Sequence, residues 1–218
     1  MINKDIEFKI IKNIYYKILP YVVKTPLIQN SNEMNDFFNT NIFFKLEFLQ
    51  RTGCFKARGA INNLLNLSKK QKKNGITTVS AGNHAIAASY AANKFKIKSK
   101  IFMYKSANKF RIKQVKSFSN NIIFTDPVNA FKEVEKASIL DGYYFLHPFD
   151  GKYTIQGTAS LGYEICNQIN SIDNAIISVG GGGLIAGVGS IIKHKFPNCK
   201  IIGVEPKKSN GMTESLKK

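Results

Sequence analysis

Residues 44–60 read Phe44-Lys45-Leu46-Glu47-Phe48-Leu49-Gln50-Arg51-Thr52-Gly53-Cys54-Phe55-Lys56-Ala57-Arg58-Gly59-Ala60. An extended start gives way to a polar turn at Gly53 and then to a helical pattern. Ala57, Ala60, Ile61, Leu64 and Leu65 follow the i, i+3, i+4, i+7, i+8 spacing of one buried face. Lys56 falls in the first turn of that helix. There the unpaired N–H groups and the positive end of the dipole disfavour a second positive charge. A lysine so placed gives up its proton more readily than a free one, and a neutral amine is what attacks a carbonyl. In a chain with 32 Lys and Arg residues, position alone favours a solvated lysine at a helix start, and the rest of the sequence has to decide against it.

Outward from this stretch the chain alternates. Before it, Ile10, Ile11, Ile14, Tyr15 and Ile18 cluster as a helix that Thr25-Pro26 ends. A helix within 30–41 is expected to point Met34 and Phe37 inward, and a strand to cover 42–47. After it, the Lys56 helix is expected to fade at Ser68-Lys69-Lys70 and stop at Asn74-Gly75. Strands follow at 76–79, 100–104, 121–125 and 143–146, separated by helices at 85–95, 108–118 and 128–140. A helix over 156–169 with a kink at Gly157, a buried strand at 175–179, a helix from Leu184 to about Lys195 and a strand at 200–204 complete the pattern. Such alternation predicts an α/β fold with parallel sheet wrapped by helices.

Gly180-Gly181-Gly182-Gly183 stands between an apolar strand and a helix. Glycines let the backbone approach a ligand and adopt positive φ, and the helix N-terminus offers N–H groups and a favourable dipole to an anion such as phosphate. Close helix–sheet packing would also call for small residues. No lysine follows in the P-loop pattern, which argues against a nucleoside triphosphatase. No acidic residue stands where a dinucleotide site needs it. An activated lysine and a phosphate cradle in one α/β protein together suggest a phosphorylated aldehyde, pyridoxal 5′-phosphate (PLP).

Three separated motifs carry a resemblance: Lys45-Leu46-Glu47 through Ala60, Ser80-Ala81-Gly82-Asn83-His84-Ala85, and Gly180 to Leu184. Thr25-Pro26-Leu27 and Gly203-Val204-Glu205-Pro206 fit as well. The sequence resembles the threonine dehydratase and serine racemase branch of the fold type II PLP enzymes, the tryptophan synthase β-like family, over essentially its whole length. The resemblance implies two parallel-sheet α/β lobes with the cofactor cleft between them: a large PLP-binding lobe of 1–75 plus 151–218, and a small inserted lobe of 76–150. It implies that Lys56 forms the Schiff base and acts as the base at Cα. It implies that Phe55 packs by the cofactor ring, although ordinary core packing fits that residue equally. Asn83 would bond the 3′-hydroxyl of PLP, and Gly180, Gly181, Gly182, Gly183 and Leu184 would hold its phosphate. Ser80, Ala81, Gly82 and His84 would line the pocket for the substrate carboxylate, with backbone N–H groups as donors. The implied reaction is α,β-elimination of water from threonine to give 2-oxobutanoate and ammonia, the chemistry of isoleucine biosynthesis, or pyruvate from serine. Ala81 stands where racemases are expected to carry a second acid–base serine, which favours a dehydratase.

The sequence departs from the family pattern at Cys54 (usually serine), Ile86 and Ile155. Family members also continue past the Gly203–Pro206 segment, so the large lobe is expected to be incomplete, with apolar sheet surface exposed. A partial sequence, a decayed gene product and half of a split enzyme completed by another chain each fit that expectation. A truncated PLP-binding or interaction protein without activity is the alternative function.

Composition sets the outer limits. The 218 residues, 44% of them hydrophobic, suffice for a sizeable core. No apolar run approaches the ~20 residues of a membrane span, and the first residues show no signal-peptide core. Three widely spaced cysteines fit neither a disulfide framework nor a zinc site, and point to a cytoplasmic protein. The net charge of +18 comes from lysines scattered along the chain, without interleaved aromatics, so no nucleic-acid partner is expected. The expected partners are an amino-acid substrate and further copies of the chain in a homo-oligomer, with neither membrane nor metal.

Overall fold

The computed structural model describes residues 4–119 and 121–217. Helix α1 (Phe8–Ile18) buries Ile11, Ile14, Tyr15 and Ile18 on one face, as the spacing requires. Strand β1 (Leu27–Gln29) pairs antiparallel with β2 (Phe43–Lys45), Leu27 opposite Lys45. Between them lies the short helix α2 (Asn32–Phe38), capped by the Ser31 hydroxyl. Here the inward assignment of Met34 and Phe37 is corrected, since they are 43% and 80% exposed. Asn35 takes the buried position instead, because its Oδ1 accepts from the Ile42 N–H at 3.0 Å where the chain turns back into β2.

Helix α3 (Lys56–Leu65) is buried nearly all round, Arg58, Asn62 and Asn63 included. It ends at Leu65 rather than fading at Ser68-Lys69-Lys70 and stopping at Asn74-Gly75, because Ser68 opens a separate helix, α4 (Lys69–Asn74). Its hydroxyl accepts from Gln71 N while the Gln71 side chain returns to Ser68 N, a reciprocal cap that starts a helix rather than ending one.

The next elements are β3 (Ile76–Val79), α5 (Asn83–Lys94), β4 (Ser99–Tyr104), α6 (Lys109–Lys116), β5 (Ile122–Thr125), α7 (Pro127–Leu140) and β6 (Tyr144–Phe145). The four strands form one parallel sheet in the order β5-β4-β3-β6. Alternation sends Val79 and Phe102 to one face, against Ala130, Val134 and Ala137 of α7. Ile101 and Met103, one position off, join the larger core with α5 on the other face.

Helix α8 (Lys152–Cys166) begins at Lys152 rather than Gln156 and runs through Gly157 as one continuous helix. Close packing calls for a glycine at 157: a Cβ would stand 2.5 Å from the Arg58 carbonyl oxygen and 2.6 Å from Gly59 Cα. Strand β7 (Asn174–Ser178), helix α9 (Gly183–Lys195) and strand β8 (Lys200–Val204) follow, with β7 and β8 parallel in register Ala175 to Ile201. The reading of β7 as a buried strand is also corrected. Only Ile177 is buried; Ile176 is 74% exposed, because α9 covers one face of this two-stranded sheet while Ile176, Ile202 and Val204 stand open on the other. A last helix, α10 (Gly211–Ser215), was not legible in the sequence; Glu205 anchors it by accepting from the N–H groups of Met212 and Thr213.

Candidate active site

In the four-stranded sheet, β4 and β5 extend to one side of β3 and β6 lies on the other, so the strand order reverses at β3. Ligands of parallel sheets bind at such a switch point, beyond the C-terminal strand ends. A cavity of about 440 Å³ lies there. It is lined by Ser80 to His84 after β3, Ser106, Ala107 and Asn108 after β4, Pro148 after β6, Arg111 on α6, and Lys56 from across the cleft. No carboxylate is among these residues.

Lys56 opens α3 with no side chain capping the helix start. Its Nζ donates to the Pro148 carbonyl at 2.5 Å and sits 5.0 Å from the centre of the Phe55 ring. Burial holds its pKa below the ordinary lysine value, against a smaller opposing influence of Cys54. Cys54 is itself buried, and that burial raises its pKa, so it stands beside the amine as a protonated thiol of low reactivity. Phe55 is half-buried, packs against the main core and does not line the cavity.

The turn after β3 is set by local bonds. The Ser80 N–H continues the strand pairing to Phe102 O at 3.0 Å, and its hydroxyl accepts from the Gly82 N–H at 3.1 Å. Asn83 begins α5, and its Oδ1 accepts from Arg111 Nη1 at 2.6 Å. The His84 ring is buried, with Nε2 3.0 Å from the Leu146 carbonyl. A carbonyl only accepts, so Nε2 carries the hydrogen, and burial drives the pKa down to about 3. His84 therefore contributes its backbone to the cavity, while its ring is a neutral tie between α5 and β6. His147, by contrast, is an acceptor, taking the Asp150 N–H on Nδ1 at 2.9 Å. His194 is exposed and stacks on Phe8, far from this chemistry in role.

The glycine loop divides between packing and ligand geometry. Gly181 and Gly183 are pressed against Phe149, leaving no room for a Cβ at either. Gly182 has φ +84° and precedes α9, whereas the space beside Gly180 is open. Among the described residues none accepts a hydrogen bond from the backbone N–H groups of Gly180 to Leu184, so the start of a 13-residue helix presents free donors. The loop does not line the Lys56 cavity. It meets it through consecutive residues, since Pro148 bonds Lys56 and Phe149 packs on Gly181. An amine, an uncapped helix start and a cavity free of carboxylates, all joined at 147–151, fit a molecule carrying an aldehyde at one end and a phosphate at the other.

Beneath the site lies a cluster the sequence did not announce. Arg58, fully buried, bonds Glu47 through Nε and Nη2 at 3.0 and 2.8 Å and Glu164 through Nη1 at 3.0 Å. Lys45 Nζ bonds Glu164 at 2.6 Å, Gln168 at 2.7 Å and the Thr25 carbonyl at 2.6 Å. Burial raises the Glu164 carboxyl's pKa, but Arg58 and Lys45 outweigh it and hold the group below the usual range. Four charges on β2, the turn before α3, α3 and α8 thus fix the frame that carries Lys56. Arg58, Glu47 and Lys45 belong to the stretch read first, but their mutual approach depends on Glu164, which no local pattern marks. Arg111, Pro148 and Phe149 were missed as well. The one available signal was the position of Asn108 just past a strand end, and it does bond the Phe110 N–H to start α6.

The chain belongs to the pyridoxal-phosphate dependent enzyme family, which it matches over residues 18–218. It is 39% identical over 195 residues to phenylserine dehydratase of Ralstonia pickettii, covering 89% of this chain and 60% of that one. It is 37% identical over 202 residues to the biosynthetic L-threonine dehydratase of Halalkalibacterium halodurans, covering 90% of this chain and 48% of that one. Maize serine racemase superposes with a TM-score of 0.91 at 32% identity, covering 96% of this chain and 64% of that one. The fold is thus that of the fold type II PLP enzymes, and the chain spans about 48–64% of the length of these relatives. Among the described residues no helix is long and apolar enough to cross a membrane.

Proposed function

We propose that the protein acts as a PLP-dependent dehydratase of small β-hydroxy amino acids, threonine first and serine second. The observation that carries this reading is the half-buried Lys56 amine, bonded to the Pro148 carbonyl in a cavity without carboxylates opposite the Ser80–His84 turn, where burial lowers its pKa. PLP, when bound, supplies a carbonyl carbon that bonds amines and a ring that withdraws the electrons left at the substrate Cα. The residues of the chain do the rest. The free N–H groups of Gly180 to Leu184 would hold the PLP phosphate. Of the turn expected to receive the substrate carboxylate, Ala81 and His84 keep free N–H groups for it, whereas those of Ser80 and Gly82 are spent on the Phe102 carbonyl and the Ser80 hydroxyl; Asn83 would bond the 3′-oxygen. Phe55 supports the ring side from the core. With cofactor and substrate bound, Lys56 would take the proton from Cα. The β-hydroxyl leaves with a proton as water. That water is regained on hydrolysis, so threonine yields 2-oxobutanoate and ammonia. Ala81 has no exchangeable proton to return to the opposite face of Cα, which favours elimination over racemisation.

The two-lobe division at 76–150, a homo-oligomeric assembly and a cytoplasmic location belong to the same reading. Incubating the purified chain with PLP and L-threonine and following 2-oxobutanoate with a coupled dehydrogenase tests it. Lys56→Ala abolishes the product. The share of the relatives' length that the chain spans favours a second reading, in which it binds PLP through Lys56 without turnover or works with a complementing chain. Lys56-dependent PLP absorbance with no 2-oxo acid formed selects that one.

A further inference from the structure

Among the described residues Arg111 is the one cation lining the cavity besides Lys56, and nothing in the proposed chemistry uses it. Its Nη1 lies 2.6 Å from the Asn83 side-chain amide. A guanidinium only donates, so the amide atom facing it must be the oxygen. The two Nδ2 hydrogens of Asn83 are thereby left for the cavity, and no described residue accepts from them. Without Arg111 the amide is free to turn over and present its oxygen instead, since the two orientations have nearly the same shape. The guanidinium reaches this place by lying over Gly82, where any Cβ would collide with it. It is held on the first turn of α6, which Asn108 caps. Among the described residues Arg111 forms no ion pair with any carboxylate, so its side chain is not committed elsewhere.

We propose that Arg111 is a positioning residue that locks the Asn83 amide with its N–H groups toward the cavity, so that the site donates to, rather than repels, an electron-rich oxygen of the cofactor ring. The proposal rests on the reading of this cavity as the PLP site. A donor to the 3′-oxygen favours its anionic form; an amide oxygen there favours the protonated form. The other titratable groups around the cavity are Lys56 on α3, the neutral His84 on α5, and His147 beyond β6, which feels the charge of Lys56.

The test is the pH titration of the PLP absorbance bands of the full chain, compared for wild type, Asn83→Ala, Arg111→Met, Arg111→Lys and Lys56→Ala. We expect Arg111→Met to shift the protonation equilibrium by about tenfold, the size of one charge-assisted hydrogen bond. The shift goes toward the protonated form, as in Asn83→Ala, and Arg111→Lys restores part of it. An Arg111→Met titration that coincides with wild type overturns the proposal. If Arg111→Met does not fold, Gly82→Ala, which displaces the guanidinium by space alone, is read the same way. A wild-type spectrum with no band dependent on Lys56 overturns the PLP reading itself, and the proposal with it. A Lys56-dependent band that Arg111→Met leaves unshifted overturns only the positioning role.

Discussion

Gly157 on α8 rests against Gly59 on α3 so closely that a Cβ on Gly157 would lie 2.6 Å from Gly59 Cα. The helix that begins with Lys56 is therefore held by backbone-to-backbone contact with α8. Gly157→Ala forces backbone, not a flexible side chain, to move, and is expected to destabilise the protein by about 1–3 kcal/mol. Gly211→Ala, where nothing stands within 4 Å of the new Cβ, is the control and should stay within about 0.5 kcal/mol of wild type. Urea unfolding midpoints of the two variants check the contrast.

The ion cluster gives a pH dependence of definite sign. Glu164 has its carboxyl pKa lowered in the folded protein from a starting value of 4.5. The unfolded chain therefore binds its proton first as the pH falls. The stabilisation is fully present above 4.5 and is lost as the pH drops through the folded value. Glu164→Gln removes this acid-labile part, so its stability should fall less steeply than wild type below pH 4.5. Glu164→Ala leaves Arg58 and Lys45 buried without their shared partner and should cost about 3–5 kcal/mol at neutral pH.

His84 acts in the same direction at a higher pH. Its pKa is about 3 in the fold against 6.5 for the free group. Between those values the unfolded chain holds a proton that the folded one refuses, so stability rises with pH through the window. At pH 5 the loss amounts to roughly 2 kcal/mol by linkage. His84→Gln, which does not titrate, should show a flatter stability profile between pH 6.5 and 5 in thermal or urea unfolding. A slope equal to wild type's would rule out the buried neutral imidazole.

Lys56 has its pKa lowered by burial from 10.5. The rate at which the chain captures PLP, followed by absorbance, should therefore climb to its plateau at a lower pH than an exposed lysine allows. Phe149→Ala, which frees the Gly181–Gly183 segment from its packing partner, should weaken PLP retention while leaving that pH midpoint unchanged.

Much of this fold was legible in the sequence because it rests on local signals. The strands at 76–79 and 200–204 and the helix start at Lys56 follow from periodicity and turn residues, and their observed bounds agree with the reading. The failures came where distant chain segments decide. The packing role of Gly157 went unread because its partner, Gly59, is remote in sequence. Met34 and Phe37 looked like core because nothing local says that Asn35 must turn inward to meet Ile42. Ser68 looked like the fraying of a helix, although Gln71 three positions on was a readable capping signal. At the site, Lys56 and the Ser80–His84 turn could be named from their motifs and line one cavity. Arg111 could not, since one arginine in so basic a chain is distinguished only by the amide it meets across the cleft.

The Glu164 cluster also bears on how the chain reaches its fold. Glu164 accepts from the Thr25 N–H at 2.8 Å, a contact that closes a loop of 139 residues. Contacts of such separation form late, after the intervening helices and strands have collapsed. The charges of Lys45, Arg58 and Glu164 leave water only at that step. Substitutions in the cluster should accordingly show up as faster unfolding rather than slower refolding, making these buried ions the latch that governs how long a folded molecule lasts.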